Sequence, residues 1–448
     1  MKHYLAFDLG ATSGRTIIGS AGEDGAVTLR EIHRFPNRMI KKDGHLYWDF
    51  GSLMQEIKTG LAKAGQTGLD IQSVGIDTWG VDTVFFNHSG QPIAPPYAYR
   101  DPQTEQMPQH FFEHVMDSET LYRRTGIQVM TINTLFQFYA LHLRHEAAYE
   151  QADKILFMPD AFNYMLTGIM ATEYTIASTS QLLNPITRRP DEDLLRAVGL
   201  TPDRFAPMVE PGTLLGPIRA EIAEECGIPQ WPVIAVAGHD TASAVAAVHG
   251  QGRHIAYLSS GTWSLLGVET DRPILTKEAQ QYNITNEGGV EGTIRFLKNI
   301  TGMWIVENIL NEWKVQGYDY SYEEMTRLAE TAVCSAIINP DDPSFAAPTS
   351  MLGAIDAYCD RLHLTRPATH GEYLRCVFNS LAGRYAEVLR MLQSFLPYTI
   401  EELHIIGGGS KNTFLNRLTE EATHLPVTAG PAEATAIGNI RVQQKTKH

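Results

Sequence analysis

The sequence has no apolar run of the roughly eighteen residues that a membrane-spanning helix needs. Its first residues, Met1-Lys-His-Tyr-Leu-Ala-Phe-Asp8, put an acid inside what would be the core of a secretion signal. A cytoplasmic protein with no membrane partner is expected. Cysteine is scarce: the four, Cys226, Cys334, Cys359 and Cys376, show neither Cys-x-x-Cys spacing nor a nearby histidine pair. That argues against a zinc site or a disulfide framework and leaves buried free thiols. Basic residues are outnumbered, 36 against 51 acidic, for a net charge of −15. Nucleic acid is therefore not an expected partner, although a local basic patch can still hold a phosphate. The chain also lacks a Gly-Lys-Ser/Thr ending to any glycine loop, so a phosphate site here is not a Walker A loop.

What is present describes a globular chain. Hydrophobic residues make up 43% and charged residues 19% of 448, which excludes disorder and gives enough apolar surface for large cores. That length exceeds one ordinary core, so two domains with a cleft between them are expected.

Chemistry concentrates first at Val233-Ile-Ala-Val-Ala-Gly238-His239-Asp240-Thr241-Ala242-Ser243-Ala-Val-Ala-Ala-Val248. A β-branched apolar run ends at a glycine, and an Ala/Val-rich helical run follows at once, so His239, Asp240 and Thr241 should lie at a strand-to-helix turn. Ligands of α/β proteins bind at such carboxyl ends of strands, and a carboxylate in the first helical turn stays ionised in the helix dipole. Asp240 can thus serve as a general base. A single Asp before a helix more often acts only as an N-cap, and other stretches of the chain bear on that choice.

Tyr4-Leu-Ala-Phe-Asp8 runs into Leu9-Gly10-Ala11-Thr12-Ser13-Gly14-Arg15, after which Thr16-Ile-Ile-Gly19 resumes a strand pattern. This is a β-hairpin whose turn can face an anion with backbone N–H groups. Residues 27 to 35 read as a strand and 49 to 63 as a helix. Ser73 to Phe86 reads as a second hairpin, in which Asp77, Trp79 and Gly80 resemble a sugar-facing wall, although an ordinary bend with a core tryptophan is the commoner arrangement. Helices are expected near 103–124, 134–149 and 160–166. Ile255-Ala-Tyr-Leu-Ser259-Ser260-Gly261-Thr262-Trp263-Ser264-Leu-Leu-Gly-Val268 then repeats the strand, turn, strand order of residues 4–19. The repetition suggests two related α/β domains that clamp a nucleotide, with a boundary at Gly250-Gln-Gly252. Further on come a helical pattern from Leu374 to Phe395 and a strand that breaks into Gly407-Gly408-Gly409, where a phosphate or planar ring can approach the backbone. A last strand and a helix opened by Pro431 follow.

Taken together, Phe-Asp8-Leu-Gly-Ala-Thr-Ser-Gly-Arg15, Gly-Ile-Asp77-Thr-Trp-Gly80-Val-Asp82, Gly-His239-Asp240-Thr-Ala-Ser-Ala, Ser-Ser-Gly-Thr262-Trp-Ser, Gly-Gly408-Gly-Ser-Lys-Asn412 and Gly-Pro-Ala-Glu433-Ala resemble the FGGY carbohydrate kinases. Order and spread over almost the whole chain make the set more specific than any one motif. The resemblance implies an α/β fold of two actin-like (ribonuclease H-like) ATPase domains with an interdomain cleft: residues 1–249 for sugar and base, and 250–448 for nucleotide. It implies transfer of phosphate from ATP, with Mg²⁺, to a ketose of the L-rhamnulose kind, by a monomer or small homo-oligomer. L-Fuculose, xylulose and ribulose are the alternative ketoses. An actin-fold nucleotide-binding protein without kinase activity is the alternative of another class, and His239-Asp240 with Asp77-Thr-Trp-Gly80 speaks against it.

Carried over, the resemblance makes Asp240 the base. Ala11, Thr12, Ser13, Gly14, Arg15 and Thr262 flank the phosphates, and Glu307 and Gly408 the nucleoside. Gly80, His239, Asp240, Thr241 and Asn299 hold the sugar, and Asp8 holds magnesium through water. Family members run on past the helix of Gly438-Asn439, which implies further helical cover for the second domain and reduced stability or activity for a chain ending at His448.

Overall fold

The computed structural model describes residues 1–22, 26–249, 254–346 and 348–446. The chain forms two compact units: Met1–His249 with Glu269–Arg295 and Ala434–His448, and Gly250–Val268 with Phe296–Glu433. These are not two contiguous halves, because two later segments belong with the first unit. Asn286 donates to the Gly126 carbonyl at 3.0 Å, and the helix Ala434–Lys445 packs on the helix Asp240–Ala246 and on the central strands. The expected boundary at Gly250–Gly252 lies outside the described residues.

In the first unit six strands pair in the order Thr213–Pro217, Pro232–Ala235, Ile71–Thr78, Lys2–Leu9, Ser13–Ala21, Val27–Pro36. Lys2–Leu9 runs antiparallel to Ser13–Ala21, from Lys2 opposite Ala21 to Leu9 opposite Gly14, so the first hairpin forms where the two β runs predict it. Its other edge is parallel to Ile71–Thr78, and this sets Asp8 beside Asp77. Ile71–Thr78 is buried along almost its whole length, as a strand covered on both faces must be, and this is why its sequence does not alternate. The hairpin expected from Ser73 to Phe86 does not form. Thr83–Phe86 turns away and pairs antiparallel with Lys154–Phe157, Thr83 opposite Phe157, because both runs are apolar enough for separate cores and pattern alone names no partner. The helix expected over 49–63 is Phe50–Gly65, with the Asp49 carboxylate capping Ser52 N–H. Those expected over 103–124, 134–149 and 160–166 are Met107–His114 with Ser118–Thr125, Thr134–Leu143 with Ala147–Gln151, and Met158–Thr167.

In the second unit the strand order is Ile294–Thr301 (from Phe296), Trp263–Thr270 (to Val268), Ile255–Ser260, Glu402–Ile406, Val427–Ala429. Ile255–Ser260 is antiparallel to Trp263–Thr270 and parallel to Glu402–Ile406, which is parallel to Val427–Ala429. The first unit has the same order, with Val27–Pro36, Ser13–Ala21, Lys2–Leu9, Ile71–Thr78 and Pro232–Ala235 in the corresponding places. The duplication suggested by two similar hairpins therefore extends to both sheets, each in the ribonuclease H-like order. Helix His370–Gln393, opened by a Thr369/Glu372 capping box, buries Leu374, Val377, Phe378, Leu381, Tyr385 and Leu389 in this unit. No helix among the described residues is long and apolar enough to cross a membrane. All four cysteines are free thiols, and three are buried; Cys334 is only half-buried.

Candidate active site

In the first unit the strand Pro232–Ala235 leads to Gly238, and helix Asp240–Ala246 starts immediately after His239. His239 occupies the N-cap position, and no side chain caps this helix, so the reading of Asp240 as a mere cap fails. The Asp240 side chain keeps 31% of its surface, and its Oδ1 accepts from the Thr241 hydroxyl at 3.1 Å. The turn is held from behind by Glu173, whose carboxylate accepts from Gly238 N–H at 2.9 Å and from the Thr175 and Ile176 N–H groups. Gly238 has no room for a side chain, since a Cβ would stand 2.9 Å from Glu173 Oε2. His239 forms a parallel bridge to Thr78, and a Cβ on Gly80 would lie 3.4 Å from His239 Nε2. The structure therefore brings Gly80, His239, Asp240 and Thr241 together.

Asp8 is buried near the end of strand Lys2–Leu9 and pairs with Arg15 across the first hairpin. Gly14 is buried against Phe35, while Ala11, Thr12, Ser13 and Arg15 keep surface at the turn. Asp77 is fully buried, and its Oδ2 accepts from Asn439 Nδ2 at 2.6 Å. Burial, then the neighbouring Asp8, push the Asp77 carboxyl well above the usual carboxylate range, with Asp240 adding to the effect. Asp77 thus has no exposed surface, in keeping with an ordinary bend rather than a sugar-facing wall. Trp79 is buried too: it is 4% exposed, its ring tilts on Trp48 at 4.3 Å between centroids, and its indole N–H donates to Asp82 at 2.9 Å. An aromatic beside Gly-Asp repeats is as good a core residue as a sugar platform, and here the core takes it. Of that trio only Gly80 keeps access. The next residue, Val81, holds φ at 68°, a strained conformation for a β-branched side chain, fixed by the Thr134 hydroxyl on its carbonyl at 2.6 Å and by Thr179 on its N–H.

Asp82 anchors this wall. It accepts from Trp48, Trp79, Tyr99 N–H and Gln137, and burial nonetheless pushes its carboxyl up to about 6; burial likewise raises Glu173 to about 7. Both hold protons in the folded chain at pH values where unfolded carboxyls, titrating near 4, have lost them. Their stabilising effect is complete below about pH 4 and is lost as the pH rises through 6 and 7. Asp82→Asn removes one of these groups with little change of shape. The Tm difference between parent and variant should therefore change between pH 4.5 and 7.5, the parent losing more on the alkaline side. Parallel Tm curves across that range would contradict it.

In the second unit the turn between Ile255–Ser260 and Trp263–Thr270 carries Thr262, whose hydroxyl donates to Glu307 Oε1 at 3.1 Å. Helix Trp304–Val315 is tied to the same turn by Met303 N–H on the Gly261 carbonyl and Trp304 N–H on that of Thr262, both 3.1 Å. The three glycines divide their work. Gly407 needs its positive φ of 82°, and Gly409 needs its missing side chain because a Cβ would lie 2.1 Å from the Ser260 hydroxyl. Gly408 is exposed with open space where a Cβ would be. It is the one of the three whose small size serves no packing or torsional demand, which suits a ligand approach. Thr262, Glu307 and Gly408 thus gather around Ser260–Thr262. Asn299 stands half-buried on strand Ile294–Thr301.

The residues missed by sequence reasoning are Glu173, Glu287 and Arg295. Glu173 carried a faint signal, an acid directly before a short helix, where its carboxylate caps Thr175 and Ile176. Arg295 and Lys298 stand in a largely apolar strand, where a cation is either exposed or paired, and Arg295 is buried and paired with Glu287.

The chain belongs to the FGGY family of carbohydrate kinases: the family's N-terminal domain matches residues 3–247 and its C-terminal domain residues 256–445. Its relatives narrow the likeness. A rhamnulokinase of Bacteroides thetaiotaomicron is 52% identical over 448 residues, covering 99% of this chain and 91% of that protein. A rhamnulokinase of Bacillus subtilis is 41% identical over 98% of this chain and 89% of its own length. In fold the chain is similar to the xylulose kinase of Lactobacillus acidophilus, with a TM-score of 0.81 at 15% identity over 99% of this chain and 89% of that one. Plasmodium falciparum glycerol kinase with ADP gives 0.79 at 15% identity over the same shares.

Proposed function

We propose that this carbohydrate kinase transfers the γ-phosphate of ATP to the 1-hydroxyl of L-rhamnulose, giving L-rhamnulose 1-phosphate in the cytoplasm during L-rhamnose degradation. The observation that carries the substrate is 52% identity to a rhamnulokinase over 99% of this chain. In this reading Asp240 takes the proton from the sugar O1 as the bond from O1 to the γ-phosphorus forms and the bond to the ADP oxygen breaks. Its carboxylate is not consumed by capping, and Thr241 orients it. Gly80, His239 and Asn299 hold the sugar. Ala11, Thr12, Ser13, Gly14, Arg15 and Thr262 flank the phosphates, with Glu307 and Gly408 beside the nucleoside. Residues 1–249 accordingly carry the base and most of the sugar contacts, and 250–448 carry the nucleoside contacts together with Asn299 for the sugar.

Mg²⁺ fits as an ion that arrives with the nucleotide. Among the described residues no three His, Cys, Asp or Glu side chains cluster as metal ligands, and Mg²⁺ on nucleotides takes one or two carboxylates, with phosphates and waters for the rest. Asp8 is the carboxylate that would hold it, since the neighbouring Asp77 is fully buried, is bonded to Asn439, and has its carboxyl raised by burial and by Asp8. When bound, the ion neutralises phosphate charge.

The test is turnover with ATP on L-rhamnulose, L-fuculose, xylulose and ribulose, with and without excess EDTA, and NMR of the product. L-Rhamnulose should give the highest kcat/KM, phosphate should sit on O1, and EDTA should abolish turnover. A tenfold preference for another ketose, or nucleotide binding with no sugar phosphorylated, would replace the assignment.

A further inference from the structure

Behind His239 lies a pair of ions that the reaction scheme does not use. Arg295, on strand Ile294–Thr301, has no exposed side-chain surface, and Glu287 has 7%. The Arg295 guanidinium donates from Nε to the Gly288 carbonyl at 2.8 Å and from Nη2 to Glu287 Oε2 at 3.0 Å. The same Nη2 stands 3.0 Å from His239 Nδ1. Burial raises the Glu287 carboxyl, but the charge of Arg295 and the His239 ring more than reverse this, and the group stays below its ordinary range.

An arginine offers five N–H donors, no acceptor, and never gives up its proton in a protein. The two hydrogens on Nη2 account for both neighbours, one on Glu287 and one on the ring nitrogen. A proton on Nδ1 would set N–H against N–H. Glu287 Oε2 lies 3.4 Å from Nδ1 and would by itself favour a proton there, but Nη2 is nearer to both atoms and occupies the lone pair. We infer that Arg295 is a positioning residue that forces His239 to carry its proton on Nε2. This deepens the proposed kinase reading and rests on it for what Nε2 meets.

Nε2 is 3.5 Å from Asp240 Oδ1 and faces the open position at Gly80. His239 therefore presents a donor, not a second base, on the side where the sugar binds. Its partner is an acceptor oxygen, a ketose carbonyl or hydroxyl held next to the one that Asp240 deprotonates. The charged groups facing this ring are Asp240, Glu287 and Arg295, with Glu173 behind the Gly238 N–H.

The tautomer is read directly from ¹⁵N NMR of the full chain labelled at histidine, with His239→Gln to assign the signal and no substrate present. The expected spectrum at neutral pH has Nδ1 unprotonated and Nε2 protonated; a protonated Nδ1 in the parent chain would overturn the inference whatever sugar the enzyme uses. Arg295→Gln should lower kcat/KM for the ketose by roughly 10- to 100-fold, the scale seen when the outer partner of a functional histidine is lost, and should move the proton toward Glu287. Arg295→Lys, still a pure donor, should keep the Nε2 tautomer and recover part of the rate. A folded Arg295→Gln variant with parental tautomer and rate would equally overturn it. If the parent phosphorylates no ketose, the kinase reading fails, while the tautomer measurement still decides the role of Arg295.

Discussion

Asp240→Asn should bind ATP and ketose about as well as the parent chain and lose roughly two to four orders of magnitude in turnover, the range that a positioned general base contributes. The substitution keeps size and the Thr241 hydrogen bond on Oδ1 while removing the only group at the turn that can accept a proton from a sugar hydroxyl. Stability should hardly change, because the carboxylate caps nothing and stands partly in solvent. That separates this expectation from an N-cap role, where loss of the cap would cost about 1 kcal/mol and leave the rate alone. Isothermal calorimetry with both ligands, a coupled rate assay and a thermal melt decide between them. Near-normal turnover with a lowered Tm would remove Asp240 as the base.

The second large effect is on folding. Gly438 lies inside helix Ala434–Lys445, where helix propensity alone makes Gly→Ala stabilising by about 1 kcal/mol. Packing predicts the opposite sign. A Cβ at Gly438 would stand 1.7 Å from the Ser243 carbonyl oxygen and 3.1 Å from Ala247 N, and both are backbone atoms of the facing helix that cannot rotate aside. Nor can this helix retreat easily: Asn439 is bonded to Asp77, and Gln443 to the Leu5 carbonyl and the Ser73 hydroxyl. Gly438→Ala should therefore cost about 3 kcal/mol or more, seen as a Tm lower by at least roughly 5 °C. Because the displaced helix is the one that begins at Asp240, the rate should fall as well. An unchanged or raised Tm would show that the two helices are not in this contact.

Period and punctuation in the sequence were enough for the first hairpin, the strand and helix around Gly238, and the repetition that proved to be one sheet order used twice. The turns carrying Thr262 and Gly408 were legible in the same way, whereas Glu307 was implied only by the FGGY resemblance. Partner choice was not legible. Thr83–Phe86 reads as the return arm of a hairpin because apolar strands look alike from within, and Asp77 and Trp79 read as ligand contacts because acids and indoles serve both walls and cores. Asn439 and Gln443 look like a solvent-facing polar pair at i and i+4, yet both are completely buried and bonded to the central strands. A buried polar side chain leaves no periodic trace, since its stability depends on a partner several hundred residues away.

That last helix also imposes an order of events in the cell. The strand Lys2–Leu9 leaves the ribosome first, but the groups that satisfy its neighbours Asp77 and Ser73, and the carbonyl of Leu5, are carried by residues 439 and 443. Contacts of such sequence separation close late. The sheet that bears Asp8 lacks these partners until residue 443 has been synthesised. Apolar surface left waiting in this way is what makes incomplete chains prone to aggregate, and a unit whose partners all lay before residue 249 would expose it for less of synthesis.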